Sequence, residues 1–437
     1  MFYKRIPSFE SENHIYIQNN SHHEFPDFQS FVSRFPFRDN RQLQNEIEAI
    51  SKSVFIHGFN ESKFAKETIS LLFDVVLSFN GTVSLLALKC ISLMTENHGI
   101  DPIIWINCSI LNLIRNCITS DSVEIVNCSL QIIKNITRKR TIANRILSEM
   151  PILYLERILK VFKQPKTVYL MIQVMIYILY HVESIEFHVF DELYRCLAIF
   201  SNQTYKKSIP KFDEHRIRIV SLLTKKAPYI SEILYNYDII DIFLNGLESE
   251  SPNIICLSID IALNVISDSF NFDKINLYHF VSLLHNTDHN VINSAIIFFS
   301  TLITKFLNEI SIISGILDMV SEKLIDSLFI TIENGTWSNK IESLKCIHLL
   351  QNIGYSQILI EKSPEALIDQ IISIIESINN DELNVLIAIL VDFFSNCDFS
   401  EKFIHSKKDL LNVLDTIDDE IVTTNPNVSI LHHYLYL

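Results

Sequence analysis

DIIDIFLNGLESESPNIICLSIDIALNVISDS, residues 238–269, reads as two helices joined by a polar turn. Ile239, Ile240, Ile242, Phe243, Leu244 and Leu247 make one apolar face. Glu248-Ser249-Glu250-Ser251-Pro252 interrupts it, because proline cannot sit in a helix interior. A longer second helix carries Ile254, Leu257, Ile259, Ile261, Leu263 and Val265. The same order of elements recurs along most of the chain. That recurrence, more than any single motif, decides the fold.

The second helix of each unit aligns on a small residue. It is Ala87, Ser129, Ser258, Ala295, Cys346 and Ala388 in six of them, at intervals of 42, 129, 37, 51 and 42 residues. The long interval holds two further units, at 166–180 and 214–228, so the repeat occurs about eight times with a mean spacing of 43. Each is preceded by a shorter apolar helix and a Ser/Asn/Asp break, as in LNLIRNCITSDS and LIDQIISIIESIN. A 40–47-residue helical period implies stacked units that share one continuous core. The irregular 51-residue interval predicts an insertion near Ile310–Val320 or Asn334–Trp337, and Ser201–Asp213 reads as an enlarged loop.

Composition agrees. The 437 residues are 48% hydrophobic but include only 7 Gly and 11 Pro, too few for a turn-rich β fold. The formal charge of −15 opposes binding to a phosphate backbone, so no nucleic-acid partner is expected. The 8 cysteines form no CxxC pair and lie mostly in apolar helical runs, which fits small hydrophobes in a reducing compartment. The most apolar run, Val168–Val182, is short of the ~20 residues a membrane span needs.

The stretch 240–266 resembles an armadillo repeat in Phe243-Leu244, Leu247, Ser249, Pro252, Ile254, Ser258, Ala262-Leu263 and Asn264. Asn135 and Asn352 fall at the position of Asn264, and the resemblance covers roughly residues 60–400. It departs from the family in lacking most of its glycines, which leaves HEAT-like hairpins open for some units. The resemblance implies an all-α, right-handed superhelix of about eight stacked armadillo/HEAT-like repeats. It divides the chain into an N-terminal arm (1–40), a repeat array (41–400) opened by a cap helix at 41–58, and a C-terminal cap helix and tail (401–437). The Phe-rich segment Phe25–Phe37 lies in the arm.

The resemblance also implies a use. In this family the long helix of each repeat lines a concave groove, where an Asn ladder bonds the backbone of an extended peptide. The matching positions here are Asn135, Asn264 and Asn352, with Thr301 where the ladder is interrupted. Nuclear-import adaptors of the family place a Trp four residues earlier; this chain has Gln131, Asp260 and His348 there. These seven residues are the candidate binding positions. The expected role is a non-catalytic scaffold or adaptor that binds a protein or extended peptide. It would act as a monomer or within a hetero-complex, in the cytoplasm, with the nucleus as the second compartment. A nuclear transport adaptor and a regulatory subunit of an enzyme complex are the alternatives. The sequence has no phosphate-binding loop, no GxGxxG, GxSxG or HExxH, and its neighbouring histidines His285 and His289 flank a break rather than share a helix face. No cofactor, metal or catalytic residue is therefore expected.

Overall fold

The computed structural model describes residues 31–33, 35, 39–57, 65–79, 81–96, 102–138, 140–149, 153–200, 206–227, 229, 237–266, 275–362, 364–375, 380–396, 404–414 and 426–436. They are all-α, with no strand among the described residues. They fall into two compact units, Met1–Ile136 and Thr137–Leu437.

The first unit contains α1 (Asn40–His57), α2 (Ala65–Ser78), α3 (Thr82–Glu96), α4 (Pro102–Asn107), α5 (Ile110–Ile118) and α6 (Val123–Ile136). The second begins with α7 (Arg140–Glu149), α8 (Leu153–Val161), α9 (Pro165–His181), α10 (Phe187–Phe200), α11 (Phe212–Lys226), α12 (Ile239–Leu247) and α13 (Pro252–Val265). It continues with α14 (Leu277–Leu283), α15 (His289–Lys305), α16 (Ile310–Leu317), α17 (Ser321–Asn334), α18 (Trp337–Asn352), α19 (Ser356–Lys362), α20 (Pro364–Ile375), α21 (Asn380–Asn396), α22 (Ile404–Leu414) and α23 (Pro426–Tyr436).

Local chemistry starts and stops these helices where the sequence signals it. Pro252 opens α13 at a position where its missing N–H costs nothing, after an extended Ser251. Asp288 caps α15 by accepting from the Asn290 amide at 2.8 Å. Thr336 caps α18 through the Asn339 amide at 3.4 Å. In α5 the periodicity is plain. Ile110, Leu111, Leu113, Ile114, Cys117 and Ile118 are buried, while Asn112 and Asn116 face out.

Each repeat ends in a long helix, the third of an armadillo-like unit, and these helices pack side by side. In the first unit they are α3 and α6. In the second they are α9, α11, α13, α15, α18 and α21, each against the next. Among the described residues, four repeats carry a short first helix (α4, α7, α16 and α19) ahead of a second. Residues 182–186, between α9 and α10, hold no helix, so no short first helix precedes α10.

This difference accounts for the uneven spacing. The 51-residue interval holds α16 and a 14-residue α17, so the extra length is an added first helix rather than an inserted surface loop. The 37-residue interval holds an α14 of only seven residues. The alignment needs one correction, at α21. Ala388 is half-buried, whereas Leu386, Ile387, Ile389 and Leu390 are buried, so Ile389 takes the place of Cys346. Of the expected Ser201–Asp213 loop, residue 206 is helical, residues 207–211 form turns and bends, residues 212–213 already belong to α11, and residues 201–205 lie outside the described residues.

The small residues mark close helix approaches. Ala87, Ser129, Ser258, Ala295 and Cys346 are fully buried. Gly246 on α12 comes so near Ser258 that a methyl group there would collide with the Ser258 hydroxyl and lie 3.1 Å from Ile217 Cδ1. Gly246→Ala should therefore lose about 1 kcal/mol net, since overpacking outweighs the helix propensity that alanine adds. With Ser258→Ala in the same chain, urea denaturation should show that loss removed. An undiminished loss in the double variant would place the strain elsewhere.

Cys90 and Cys346 are buried, and burial pushes their thiols up to about 11 and about 12. They behave as small hydrophobes. At the ends, α1 lies against α3 through buried Leu43, Ile47, Ile50 and Val54. α23 lies against α21 through Val428, Leu431 and Leu435. Within the Phe25–Phe37 segment, Phe31–Ser33 and Phe35 are described, and Phe31 is buried; the rest lies outside the described residues. So do residues 415–425, including the acidic stretch Asp415–Glu420.

Candidate protein-binding surface

The third helices decide where the seven candidate residues go. In the first unit, Asn135 on α6 is buried at 3% exposure. Its Nδ2 donates to the Ser92 carbonyl (3.3 Å) and to Thr95 Oγ1 (3.1 Å), both on α3. Its Oδ1 accepts from Gln131 Nε2 at 3.1 Å, and Gln131 also reaches Glu96 at 3.4 Å. The Asn135 amide thus ties one third helix to the one before it.

The second unit repeats this arrangement. Asn264 on α13 donates from Nδ2 to the Ser221 carbonyl (3.3 Å) and Thr224 Oγ1 (3.2 Å) on α11. In both places the Thr hydroxyl also donates to the Ser carbonyl. A buried amide is stable only when its donors are satisfied, and here the preceding repeat satisfies them. Asn352 on α18 differs. It is exposed, and its Nδ2 lies 3.5 Å from His348 Nε2. Burial holds the half-buried His348 imidazole below its ordinary pKa, which favours the neutral ring that can accept this bond.

Asp260 and Thr301 are exposed on α13 and α15. α13, α15 and α18 pack consecutively, so Asp260, Asn264, Thr301, His348 and Asn352 occupy corresponding positions on three successive third helices. Gln131 and Asn135 stand with Glu96 in the first unit.

Two sets of linking residues were missed by sequence reasoning. The first is the Ser-Leu-x-Thr pair, Ser92/Thr95 and Ser221/Thr224, lying 43 and 40 residues before Asn135 and Asn264. The identical spacing in SLMT and SLLT was a readable signal. The second is a lysine clasp. Lys226 Nζ donates to the Val182 carbonyl at 2.5 Å, and Lys305 Nζ to the Ile266 carbonyl. Val182 and Ile266 are the residues that end α9 and α13, where cations stabilise the exposed carbonyls of a helix terminus.

Among the described residues no three His, Cys, Asp or Glu side chains gather as a metal site would need, and no helix is long and apolar enough to cross a membrane. No family model matches the sequence, and no curated protein matches it. An engineered protein of known structure is similar over 94% of this chain and 99% of its own, at TM-score 0.65 and 12% identity. The three-helix repeats and their stacked third helices fit this likeness.

The fold is an armadillo-type repeat fold.

A designed armadillo repeat protein solved in complex with the peptide (KR)4 is similar over 56% of this chain and all of its own, at TM-score 0.46 and 12% identity. Within the armadillo-type repeats, buried Asn135 and half-buried Asn264 are each tied to the preceding third helix by two bonds. Asp260, Thr301 and Asn352 are exposed at corresponding positions of the third helices.

Proposed function

We propose that this chain is a non-catalytic scaffold or adaptor whose third-helix surface in the second unit holds an extended segment of a partner protein. The observation that supports this most is the succession of Asp260, Asn264, Thr301, His348 and Asn352 on α13, α15 and α18. Polar side chains at a regular spacing, on helices fixed by buried cores, match the regular spacing of an extended backbone. Asn264 has both Nδ2 hydrogens engaged, so it would serve a partner as an acceptor through Oδ1. Asn352 and His348 would exchange their long mutual contact for partner bonds. The seven described cysteines are all free thiols, which supports a reducing compartment such as the cytoplasm.

The test is affinity purification of native complexes followed by cross-linking mass spectrometry, with wild type set beside Asp260→Lys, Thr301→Arg and Asn352→Ala. Partner cross-links should map to α13, α15 and α18, and each variant should lower recovery about 10-fold, as a central interface substitution does. Partners that survive all three substitutions would remove this surface from the account.

A further inference from the structure

A second surface, on the second helices rather than the third, goes beyond that reading. α14 and α17 lie side by side and leave a cleft of about 400 Å³ between them. Its walls are single helix faces. Tyr278 and Val281 come from α14, with His285 just beyond it; Lys323, Asp326, Ser327 and Ile330 come from α17 at intervals of three and four. Tyr278 is 40% exposed and Ile330 48% exposed, and Met319 beside them is 72% exposed. Large apolar side chains grouped at a concave site are a mark of recognition surfaces.

The polar groups of the cleft are held in place. Tyr278 Oη donates to the Met319 carbonyl at 2.5 Å, which sets the ring. Ser327 Oγ gives its one proton to the Lys323 carbonyl at 2.7 Å, so the 3.0 Å contact with His285 must have His285 Nε2 as donor. Asp326 is paired with Lys362 on α19 at 2.8 Å. Lys323 is the exception. Its Nζ stands 4.8 Å over the Tyr278 ring, and no carboxylate among the described residues pairs with it.

We propose that this cleft docks a partner peptide carrying a bulky apolar side chain next to an aspartate or glutamate. The apolar group would fill the space between Tyr278, Val281 and Ile330, and the carboxylate would meet Lys323 at the rim. The cation–π contact already holds the lysine at the cleft, so its charge is presented with little further ordering. A basic residue would meet Lys323 as a like charge, while the one cleft carboxylate, Asp326, is already paired with Lys362.

The test pans phage-displayed random peptides on the full chain, then measures synthetic fluorescein-labelled versions by anisotropy. Enriched peptides should pair an apolar residue with an adjacent carboxylate. Ile330→Asp and Lys323→Glu should each weaken them about 10-fold or more. A peptide with lysine in place of its acidic residue should regain affinity for Lys323→Glu, and Asp260→Lys should leave binding unchanged. Both cleft side chains sit at the surface, and circular dichroism should confirm that the variants are folded. Failure to enrich such peptides, binding indifferent to Lys323→Glu, or binding lost in Asp260→Lys would each overturn the proposal. The last of these would leave the third-helix reading standing.

Discussion

Phe298→Ala is expected to destabilise the second unit by about 3–5 kcal/mol, the usual cost of emptying a buried aromatic site. Phe298 lies in the middle of α15 with no exposed surface. Its ring stacks on that of Phe280 from α14 with centroids 3.9 Å apart and planes 15° from parallel. Phe299 meets it edge-on at 5.4 Å. The substitution removes one of the two stacked rings between the helices of one repeat, and rigid neighbours cannot close the gap. Each repeat's stability depends on its interfaces with adjacent ones, so the damage should spread to α13 and α18. Urea unfolding followed by circular dichroism gives the size of the loss, and amide exchange gives its extent. Phe298→Leu should cost less than half as much, because it keeps most of the volume. A loss near about 1 kcal/mol, the ordinary figure for a substitution, would mean that this repeat is not packed as described.

Asn135→Ala should cost about 1–3 kcal/mol, the range for removing a hydrogen-bonded group from a buried site. Two donors are lost, one to a carbonyl and one to a hydroxyl, both on α3. The Ser92 carbonyl keeps its bond from Thr95, and so part of the network survives. Pairing the change with Thr95→Val in a double-mutant cycle should give a coupling of about 1 kcal/mol. Asn352→Ala, at an exposed position, should fall within about 0.5 kcal/mol of wild type. This contrast separates two uses of one residue type at one repeat position. Equal losses at both sites would argue that burial is not what distinguishes them.

Much of the architecture was legible because helical periodicity repeats over hundreds of residues. The stretch 238–269 yields α12 and α13 almost as the pattern predicts, including the break at Glu248–Ser251. The Ala388 register was misread because α21 is apolar on nearly all sides. With Val385, Leu386, Ile387, Ile389 and Leu390 in a row, the smallest residue no longer marks the closest approach. The extra length before α18 was read as a loop because first helices are short, and ISIISGIL alone carries too few turns to declare a face. The asparagines were legible as a repeated position. Their bonds were not, because the partners lie 40 and 43 residues away. A single sequence shows one half of such a pair at a time.

Both clasps between third helices point the same way along the chain. Asn135 and Asn264 reach back to the preceding repeat, and so do Lys226 and Lys305, whose targets lie 44 and 39 residues earlier. During synthesis, then, a repeat leaves the ribosome with the end of its last helix unfinished. It waits for the following repeat to supply the missing donors. At ~5–20 residues per second, forty residues take roughly 2–8 s. At these four links the incomplete edge passes toward the C-terminus as translation proceeds; the α18–α21 bond, in which Gln351 Nε2 donates to the Ile389 carbonyl, runs the other way.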